Sequence, residues 1–120
     1  MPKEAKNMVK QLMSSDIKHY LIPVSKKILL DVRTEGEWDI YGKPDGEKLG
    51  LKTYFLTIKD QNFLKEFQDL LISKDCEILT LCKVGQRSQF VAQLLEKNNY
   101  ICTNISDGFD GWISSDLPCL

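Results

Sequence analysis

An α/β fold, in which a mostly parallel sheet is covered by helices on both faces, is predicted by two features of this 120-residue sequence. Short runs of apolar, strand-forming residues alternate with segments whose apolar residues recur at helical spacing. The run at residues 28–30 is entirely apolar, which is typical of a strand buried on both faces. Strands that alternate with helices pair in parallel, because each helix carries the chain back to the start of the next strand.

The bounds of the elements follow from these periodicities and from turn-forming residues. Strands are predicted over residues 28–30, 54–56, 77–81 and 101–105, and helices over residues 3–14, 61–73, 86–97 and 109–114. Thr34 is predicted to cap a further short helix that begins at Glu35. Residues 20–22 form either a short strand or a packed loop, and residues 42–50 form a loop rich in glycine.

Two of the predicted helices have a clear apolar face. The residues expected to face the core are Phe63, Leu64, Phe67, Leu70 and Leu71 in the helix at 61–73, and Phe90, Val91, Leu94 and Leu95 in the helix at 86–97. Trp38 and Trp112 are expected to pack in the core as well.

The length of the chain predicts a single domain over residues 1–120. Residues 1–27 are interpreted as an N-terminal helix and lead-in, and residues 28–118 as the core of the fold. Because the candidate strand before residue 28, at residues 20–22, is left open between a strand and a loop, one edge of the sheet stays undefined at this stage.

Composition excludes several classes of function. The net charge of −1 gives no basic excess, so neither a nucleic-acid nor a membrane partner is expected. No apolar stretch approaches the roughly 18 residues of a membrane span, and the first residues lack the apolar core of a signal peptide. A cytoplasmic protein with reduced thiols is therefore expected. The four cysteines have no CxxC spacing and there is one histidine, so neither a metal site nor a cofactor is expected.

One of the four cysteines has the surroundings of a reactive thiol. Cys82 directly follows the strand at 77–81 and precedes the helix at 86–97, so it faces free backbone N–H groups and the positive end of the helix macrodipole. Lys83 and Arg87 add positive charge, and all of these features favour the reactive thiolate. Because parallel strands end at one edge of the sheet, Asp31 and Asp107 are expected to share that edge with Cys82.

Three different motifs follow one another along the chain. They are Asp-Val-Arg-Thr-Glu-Gly-Glu-Trp at residues 31–38, Cys-Lys-Val-Gly-Gln-Arg-Ser at residues 82–88, and Gly-Phe-Asp-Gly-Trp at residues 108–112 with a trailing Leu-Pro. Together they resemble the signatures of the rhodanese-homology family, the sulfurtransferase domain, over roughly residues 28–118. The chain departs from the family at residues 41–46, where many members have a histidine-containing stretch, and at Asp116, where glycine is common.

The resemblance implies a compact three-layer α/β/α fold with a five-stranded parallel sheet, and Cys82 as the nucleophile. In that family the thiolate takes the outer sulfur of a small anionic donor such as thiosulfate, becomes a persulfide, and passes the sulfur to a thiol or to cyanide. A protein partner in a sulfur relay is a further expectation. The predicted anion-binding loop consists of Lys83, Val84, Gly85, Gln86, Arg87 and Ser88.

Two alternatives to a small-molecule sulfurtransferase stay open. One is a regulatory or relay module that carries a persulfide between proteins with little activity on small donors. The weaker one is a cysteine-dependent phosphatase or an arsenate reductase. Related phosphatases use a loop one residue longer, whereas four residues separate Cys82 from Arg87 here, so a cradle for a single sulfur atom is favoured over one for phosphate.

Several residues near the motifs are expected to have supporting roles. Asp31 and Arg33 are expected to form a buried ion pair or hydrogen-bond anchor rather than to act on substrate. Ser88 is expected to cap the following helix, with a hydrogen bond to the sulfur as the less favoured role. Cys119 is either a resolving thiol for Cys82 or has no role, and the second is favoured.

Overall fold

The structure is a computed structural model that describes residues 9–22 and 26–120. Its strands are β1 (Lys10–Leu12), β2 (Lys27–Asp31), β3 (Lys52–Phe55), β4 (Glu77–Leu81) and β5 (Ile101–Ile105). Its α-helices are α1 (Ile17–Tyr20), α2 (Glu35–Tyr41), α3 (Phe63–Gln68), α4 (Gln86–Lys97) and α5 (Gly108–Ser114). Two short 3-10 helices lie at Ser14–Asp16 and Gly46–Leu49.

The strands form one five-stranded sheet in the order β1-β5-β4-β2-β3, and each neighbouring pair is parallel. The predicted parallel α/β fold is therefore confirmed. β4 lies in the middle of the sheet between β2 and β5. Because all strands run the same way, the residues that follow them meet at one edge, and the chain that leaves β4 starts at the centre of that edge.

Helices cover both faces of the sheet, as the alternation of elements predicts. On one face α3 and α4 bury Phe63, Phe67 and Val91 in a cluster with the apolar residues of the strands. On the other face α1 contributes Ile17, and α5 contributes Trp112, to a second cluster. The sheet thus separates two cores, which makes the position of each strand rigid from both sides.

The predicted N-terminal helix is wrong over the described part of residues 3–14. Lys10–Leu12 is a strand, β1, which pairs with β5 and supplies the edge that the sequence pattern left undefined; residues 3–8 lie outside the described residues. Val9 and Leu12 are both buried, but in opposite clusters. Residues three apart share a face of a helix, whereas in a strand they point to opposite faces of the sheet. The same spacing therefore fits both structures.

Two predictions on the apolar faces of helices are also wrong. α3 ends at Gln68 rather than at residue 73, and Leu71, with φ at +58°, is 87% exposed. In α4 the buried residues include Val91 and Leu95, while Phe90 is 59% exposed. Leu71 is exposed because it lies beyond the end of α3, in the left-handed region of the backbone. Phe90 is exposed because it lies at the margin of the apolar face of α4, next to the buried Val91.

Candidate active site

Cys82 lies at the end of the central strand and is held there by the backbone. It directly follows β4 and is 1% exposed. The N–H of Val32 donates to the carbonyl of Leu81 at 2.9 Å, and the N–H of Phe109 donates to the carbonyl of Cys82 at 2.7 Å. The sulfur is therefore fixed from both sides, by the chain that leaves β2 and by the start of α5.

The loop after Cys82 turns back toward the sulfur at Gly85. This residue has φ at +99°, and a Cβ atom there would lie 2.2 Å from the carbonyl oxygen of Ser106. Only glycine fits such a position, because both the backbone conformation and the close approach of another chain segment exclude a side chain. The turn brings the N–H of Gly85 to within 3.1 Å of Cys82 Sγ, to which it donates a hydrogen bond.

The start of α4 has further N–H groups that no backbone carbonyl among the described residues uses. Gly85 occupies the N-cap position and no side chain caps the helix. The first N–H groups of any helix lack an intrahelical acceptor, and within residues 9–22 and 26–120 no backbone carbonyl accepts from the N–H groups of Gln86, Arg87 and Ser88. A ring of free N–H groups at a helix N-terminus is a site for an anion.

Ser88 contacts the sulfur directly, and its predicted role as a helix cap is wrong. Its side chain is fully buried, and its Oγ lies 3.3 Å from Cys82 Sγ and 2.6 Å from Asn104 Oδ1. The less favoured role, a hydrogen bond to the sulfur, is the one that the geometry allows. The helix needs no cap from Ser88 because Gly85 already ends the loop one turn earlier.

Arg87 is held at the loop by a carboxylate. Its Nη1 and Nη2 donate to the two carboxylate oxygens of Glu37, each at 2.7 Å. Glu37 belongs to the capping box of α2, in which its carboxylate also accepts from the N–H of Thr34. The hydrogen bonds from Arg87 lower the pKa of Glu37 to about 2, and the same pair raises the pKa of Arg87. The capping of α2 by Thr34 is as predicted.

The other predicted loop residues lie around this centre. Lys83 donates to both carboxylate oxygens of Asp110, at 3.0 and 3.1 Å, and its ammonium group lies 4.9 Å from the ring centre of Tyr41. Val84 and Gln86 are exposed at the outer turn of the loop. Both loop cations thus have carboxylate partners, which the sequence pattern did not reveal.

Asp31 and Arg33 form a fully buried ion pair behind the loop. Arg33 Nε and Nη2 donate to the carboxylate of Asp31 at 3.0 and 2.8 Å, and Nη2 also donates to the carbonyl of Gly42. The guanidinium stacks on the ring of Phe109 at 4.1 Å. Asp107 also lies at this edge, where its carboxylate accepts from the N–H and the hydroxyl of Ser14. These residues join the strand ends to α5.

Sequence reasoning missed two residues of the site. Glu37 was assigned only to its helix, since nothing local links it to Arg87. Asn104 had a signal, because it is a buried polar residue in an otherwise mostly apolar strand and such residues need hydrogen-bond partners. Among the described residues no cluster of ligand side chains suits a metal ion, and no helix is long and apolar enough to cross a membrane.

Comparison with known proteins gives a consistent result. The family model of the rhodanese-like domain matches residues 10–115. An uncharacterized protein of Rickettsia prowazekii is 34% identical over 123 aligned residues, which cover 92% of this chain and 97% of the relative. An adenylyltransferase and sulfurtransferase of Drosophila yakuba is 28% identical over 117 residues, but the match covers only 25% of that longer protein and 90% of this chain.

Solved structures share the fold. The crystal structure of an M. tuberculosis protein has a TM-score of 0.76 and 25% identity, with 93% of this chain and 97% of that chain covered. The polysulfide-sulfur transferase of Wolinella succinogenes has a TM-score of 0.77 and 22% identity, with 98% and 82% covered. With a family model that spans nearly the whole described chain and three motifs gathered around Cys82, the chain belongs to the rhodanese-like domain family of sulfurtransferases.

Proposed function

We propose that this protein moves a sulfane sulfur from a small anionic donor such as thiosulfate to a thiol or cyanide through a persulfide on Cys82. The observation that carries the proposal is the position of Cys82 Sγ, which lies within 3.1 Å of the Gly85 N–H and 3.3 Å of the Ser88 hydroxyl. Donors preorganised around a sulfur stabilise the negative charge that the reaction passes through. We propose the cytoplasm as its compartment, because thiols stay reduced there.

In the first step the Cys82 thiolate attacks the outer sulfur of thiosulfate. A sulfur–sulfur bond forms to Cys82, the bond between the outer sulfur and the sulfonate breaks, and sulfite leaves with the electron pair of that bond. The product is a persulfide whose terminal sulfur carries the negative charge. The free N–H groups at the start of α4 suit that charge, since no backbone carbonyl among the described residues accepts from them.

In the second step the acceptor removes the terminal sulfur. A thiolate or cyanide attacks it, the bond to Cys82 breaks, and the electron pair of that bond returns to Cys82 as a thiolate. No oxidant or reductant is consumed over the cycle, because the sulfane sulfur is passed on at the same oxidation level. The proposed cycle therefore requires no redox cofactor.

Arg87 has a positioning role in this proposal rather than that of a free cation. Its two terminal nitrogens are both paired with Glu37, so its charge is largely neutralised toward an incoming donor. A guanidinium held in this way fixes the first turn of α4 and thereby the N–H groups that the persulfide needs. Lys83, paired with Asp110, is proposed to have a similar role on the other side of the loop.

Sulfur transfer to a protein acceptor is the second candidate. It is favoured by the Drosophila relative, in which a region similar to this chain forms a quarter of an adenylyltransferase and sulfurtransferase. Phosphate chemistry is disfavoured because only four residues separate Cys82 from Arg87, one fewer than in the loops of related phosphatases.

The test is a thiosulfate:cyanide assay combined with mass spectrometry of the whole protein after exposure to thiosulfate. We expect turnover, and an added mass of one sulfur atom on the peptide that contains Cys82. Cys82→Ser is expected to lose both. Turnover that persists in Cys82→Ser contradicts the proposal.

The same experiment separates the candidates. A stable persulfide on Cys82 with negligible turnover to cyanide supports the protein-acceptor relay instead. Hydrolysis of an aryl phosphate by the wild type but not by Cys82→Ser would favour a phosphatase. Cys102→Ser is the matched control, because it replaces a cysteine of similar burial on the neighbouring strand.

A further inference from the structure

A chain of hydrogen-bonded side chains leads from the sulfur of Cys82 toward β1. Ser88 Oγ contacts Cys82 Sγ at 3.3 Å and Asn104 Oδ1 at 2.6 Å. Thr80 Oγ1 donates to the same Oδ1 at 3.2 Å. Ser88, Thr80 and Asn104 are all at most 2% exposed, so water cannot replace a missing partner and each proton in the chain has to be accounted for.

The orientation of the Asn104 amide is fixed by its neighbours. Its Nδ2 donates to the carbonyl of Gly85 at 3.1 Å and to Gln11 Oε1 at 3.0 Å. The oxygen of Gln11 is an acceptor because its nitrogen donates to Gln89 Oε1 and to the carbonyl of Val9. A rotated Asn104 amide would place Oδ1 against the carbonyl oxygen of Gly85, so Oδ1 faces Ser88 and Thr80.

Three acceptors surround the Ser88 hydroxyl: Asn104 Oδ1 at 2.6 Å, Cys82 Sγ at 3.3 Å and the carbonyl oxygen of Gly85 at 3.3 Å. Its single proton cannot serve all of them. Asn104 Oδ1 can only accept, and the 2.6 Å contact has the length of an O–H···O hydrogen bond. While Ser88 donates to Asn104, it cannot donate to Cys82 Sγ, which lies 3.3 Å from its Oγ. A protonated Cys82 needs no donor there, because a thiol can itself donate its S–H to a lone pair of the Ser88 oxygen. A thiolate has no proton to offer, and it is stabilised only if the Ser88 hydroxyl turns and donates to it.

We propose that Asn104 is a positioning residue for the nucleophile: it holds the Ser88 proton while Cys82 is a thiol and releases it to the sulfur when the thiol proton leaves to solvent. Thr80 makes the release possible, because its hydroxyl stays on Asn104 Oδ1 when Ser88 turns away. No bond other than the S–H bond is broken. This inference concerns how the Cys82 thiolate is stabilised, and it rests on the proposed sulfur transfer only for the purpose that the thiolate serves.

Other charges near Cys82 stay constant in the test. They are Arg87 on α4 with its partner Glu37 on α2, Lys83 in the loop, Asp31 at the end of β2, and Asp107 and Asp110 around the start of α5. None of them belongs to the chain of hydrogen bonds described above. A change in the ionisation of Cys82 in the variants below therefore reports on that chain.

The test measures the rate at which iodoacetamide alkylates Cys82 as a function of pH, read on the Cys82 peptide by mass spectrometry. Asn104→Leu leaves the Ser88 proton two acceptors, the Gly85 carbonyl and Cys82 Sγ, both at 3.3 Å. A charged thiolate is the stronger of the two acceptors, so the pH of half-maximal rate is expected to fall by about one unit, the effect of one hydrogen bond to a charged group. In a Ser88→Ala background the same substitution is expected to shift it by less than about 0.3 unit.

Thr80→Val gives the opposite sign and keeps the test decisive if Asn104→Leu does not fold. Without the Thr80 hydroxyl, Asn104 Oδ1 is left without a donor whenever Ser88 turns to the sulfur, so the pH of half-maximal rate is expected to rise by about one unit. Thr103→Val is the matched control, because Thr103 lies next to Asn104 in β5 and is 1% exposed, but donates to Glu77. It is expected to cause no shift.

The proposal is overturned if Asn104→Leu causes no downward shift, if it causes the same shift without Ser88, or if Thr80→Val fails to raise the value. Alkylation requires no sulfur donor, so these outcomes are distinct from a failure of the proposed sulfur transfer. The thiosulfate:cyanide assay on the wild type decides that second question separately.

Discussion

Two buried cysteines on neighbouring strands differ in what surrounds their sulfur. Cys82 and Cys102 are 1% and 2% exposed, and both belong to the core cluster on the α3–α4 face of the sheet. Cys102 lies inside β5, where burial, together with the nearby Glu96 and Glu77, raises the pKa of its thiol. Cys82 lies just beyond the end of β4, where Gly85 and Ser88 offer hydrogen bonds to the sulfur.

Burial therefore does not distinguish an inert cysteine from a reactive one in this molecule. Around Cys102 its own N–H donates to the Glu96 carboxylate, and the N–H groups of a strand are in general used by the sheet. A thiolate there would therefore have no donors and would be strongly disfavoured. At the strand end the chain is released from the sheet, and its N–H groups can turn toward the side chain. For the reactivity of a cysteine in this protein, a position at the edge of the sheet matters more than the exposed area of the side chain.

The largest expected difference follows from replacing each of these cysteines. Cys82→Ser is expected to reduce sulfur transfer by about a thousandfold or more, because the nucleophile is removed. Cys102→Ser is expected to retain turnover and to lose about 1 kcal/mol of unfolding free energy, since it buries a hydroxyl in an apolar cluster. Turnover and urea unfolding of both variants check this. A loss of turnover in a folded Cys102→Ser variant would contradict the difference proposed between the two cysteines.

Glycine substitutions test whether the donors depend on the backbone of the loop. Gly85→Ala places a Cβ atom 2.2 Å from the Ser106 carbonyl oxygen, which displaces the N–H from the sulfur, and turnover is expected to fall by about a hundredfold. Gly50→Ala is the matched control, since its φ is also positive, at +81°, but no atom lies within 4 Å of the added Cβ.

The control is expected to lose about 1 kcal/mol of stability through backbone strain and to keep its turnover. Equal turnover in Gly85→Ala and the wild type, with both proteins folded, would show that the Gly85 N–H does not act on the sulfur. Thermal unfolding of the three proteins separates a loss of donors from a loss of the fold.

The region of the site was predictable from the sequence because its elements are local. The bounds of β4, α4 and β5 are the predicted ones, since each is a single run with one periodicity. The motif at residues 82–88 begins directly after β4 and ends in the first turn of α4. β1 was not predictable, because its three residues pair with β5, 93 positions along the chain. A strand that short has no periodicity of its own.

The partners of the loop residues were unpredictable for a similar reason. Glu37 meets Arg87 across 50 residues, and Asn104 meets Ser88 across 16. The pattern around Thr34 reveals the capping box of α2, but not that the same carboxylate also holds Arg87. Which polar groups pair depends on where the strands place them, and that is a property of the folded sheet.

A smaller effect is expected from the ion pair between Glu37 and Arg87. The Glu37 carboxyl has its pKa lowered from 4.5 to about 2 by the hydrogen bonds from Arg87. A lowered carboxyl pKa stabilises the folded state at pH values above 4.5, and this contribution is lost as the pH falls from 4.5 toward 2. Since the Arg87 side chain is 40% exposed, solvent screening limits the contribution to about 1 kcal/mol.

Urea unfolding at several pH values measures this contribution. Glu37→Gln is expected to be about 1 kcal/mol less stable than the wild type at pH 7, with a difference that shrinks below pH 4.5. Asp69→Asn is the control, because the Lys65–Asp69 pair is exposed and should contribute less than about 0.5 kcal/mol at any pH. If the difference in unfolding free energy between Glu37→Gln and the wild type does not change with pH, the loss of stability does not come from the ion pair.

The smallest effect is expected at Cys119, for which no role in the reaction is predicted. Its segment is tied to the loop after α2. The N–H of Leu120 donates to the carbonyl of Lys43, and Pro44 and Cys119 form an isolated antiparallel β-bridge. The pKa of its thiol is raised by partial desolvation, although Cys119 is exposed whereas Cys102 is buried. A resolving thiol needs both freedom to move and thiolate character. Cys119→Ser is therefore expected to change turnover by less than about twofold. After mild oxidation, mass spectrometry of the wild type is expected to find no disulfide between Cys119 and Cys82, and such a peptide pair would reverse this assignment.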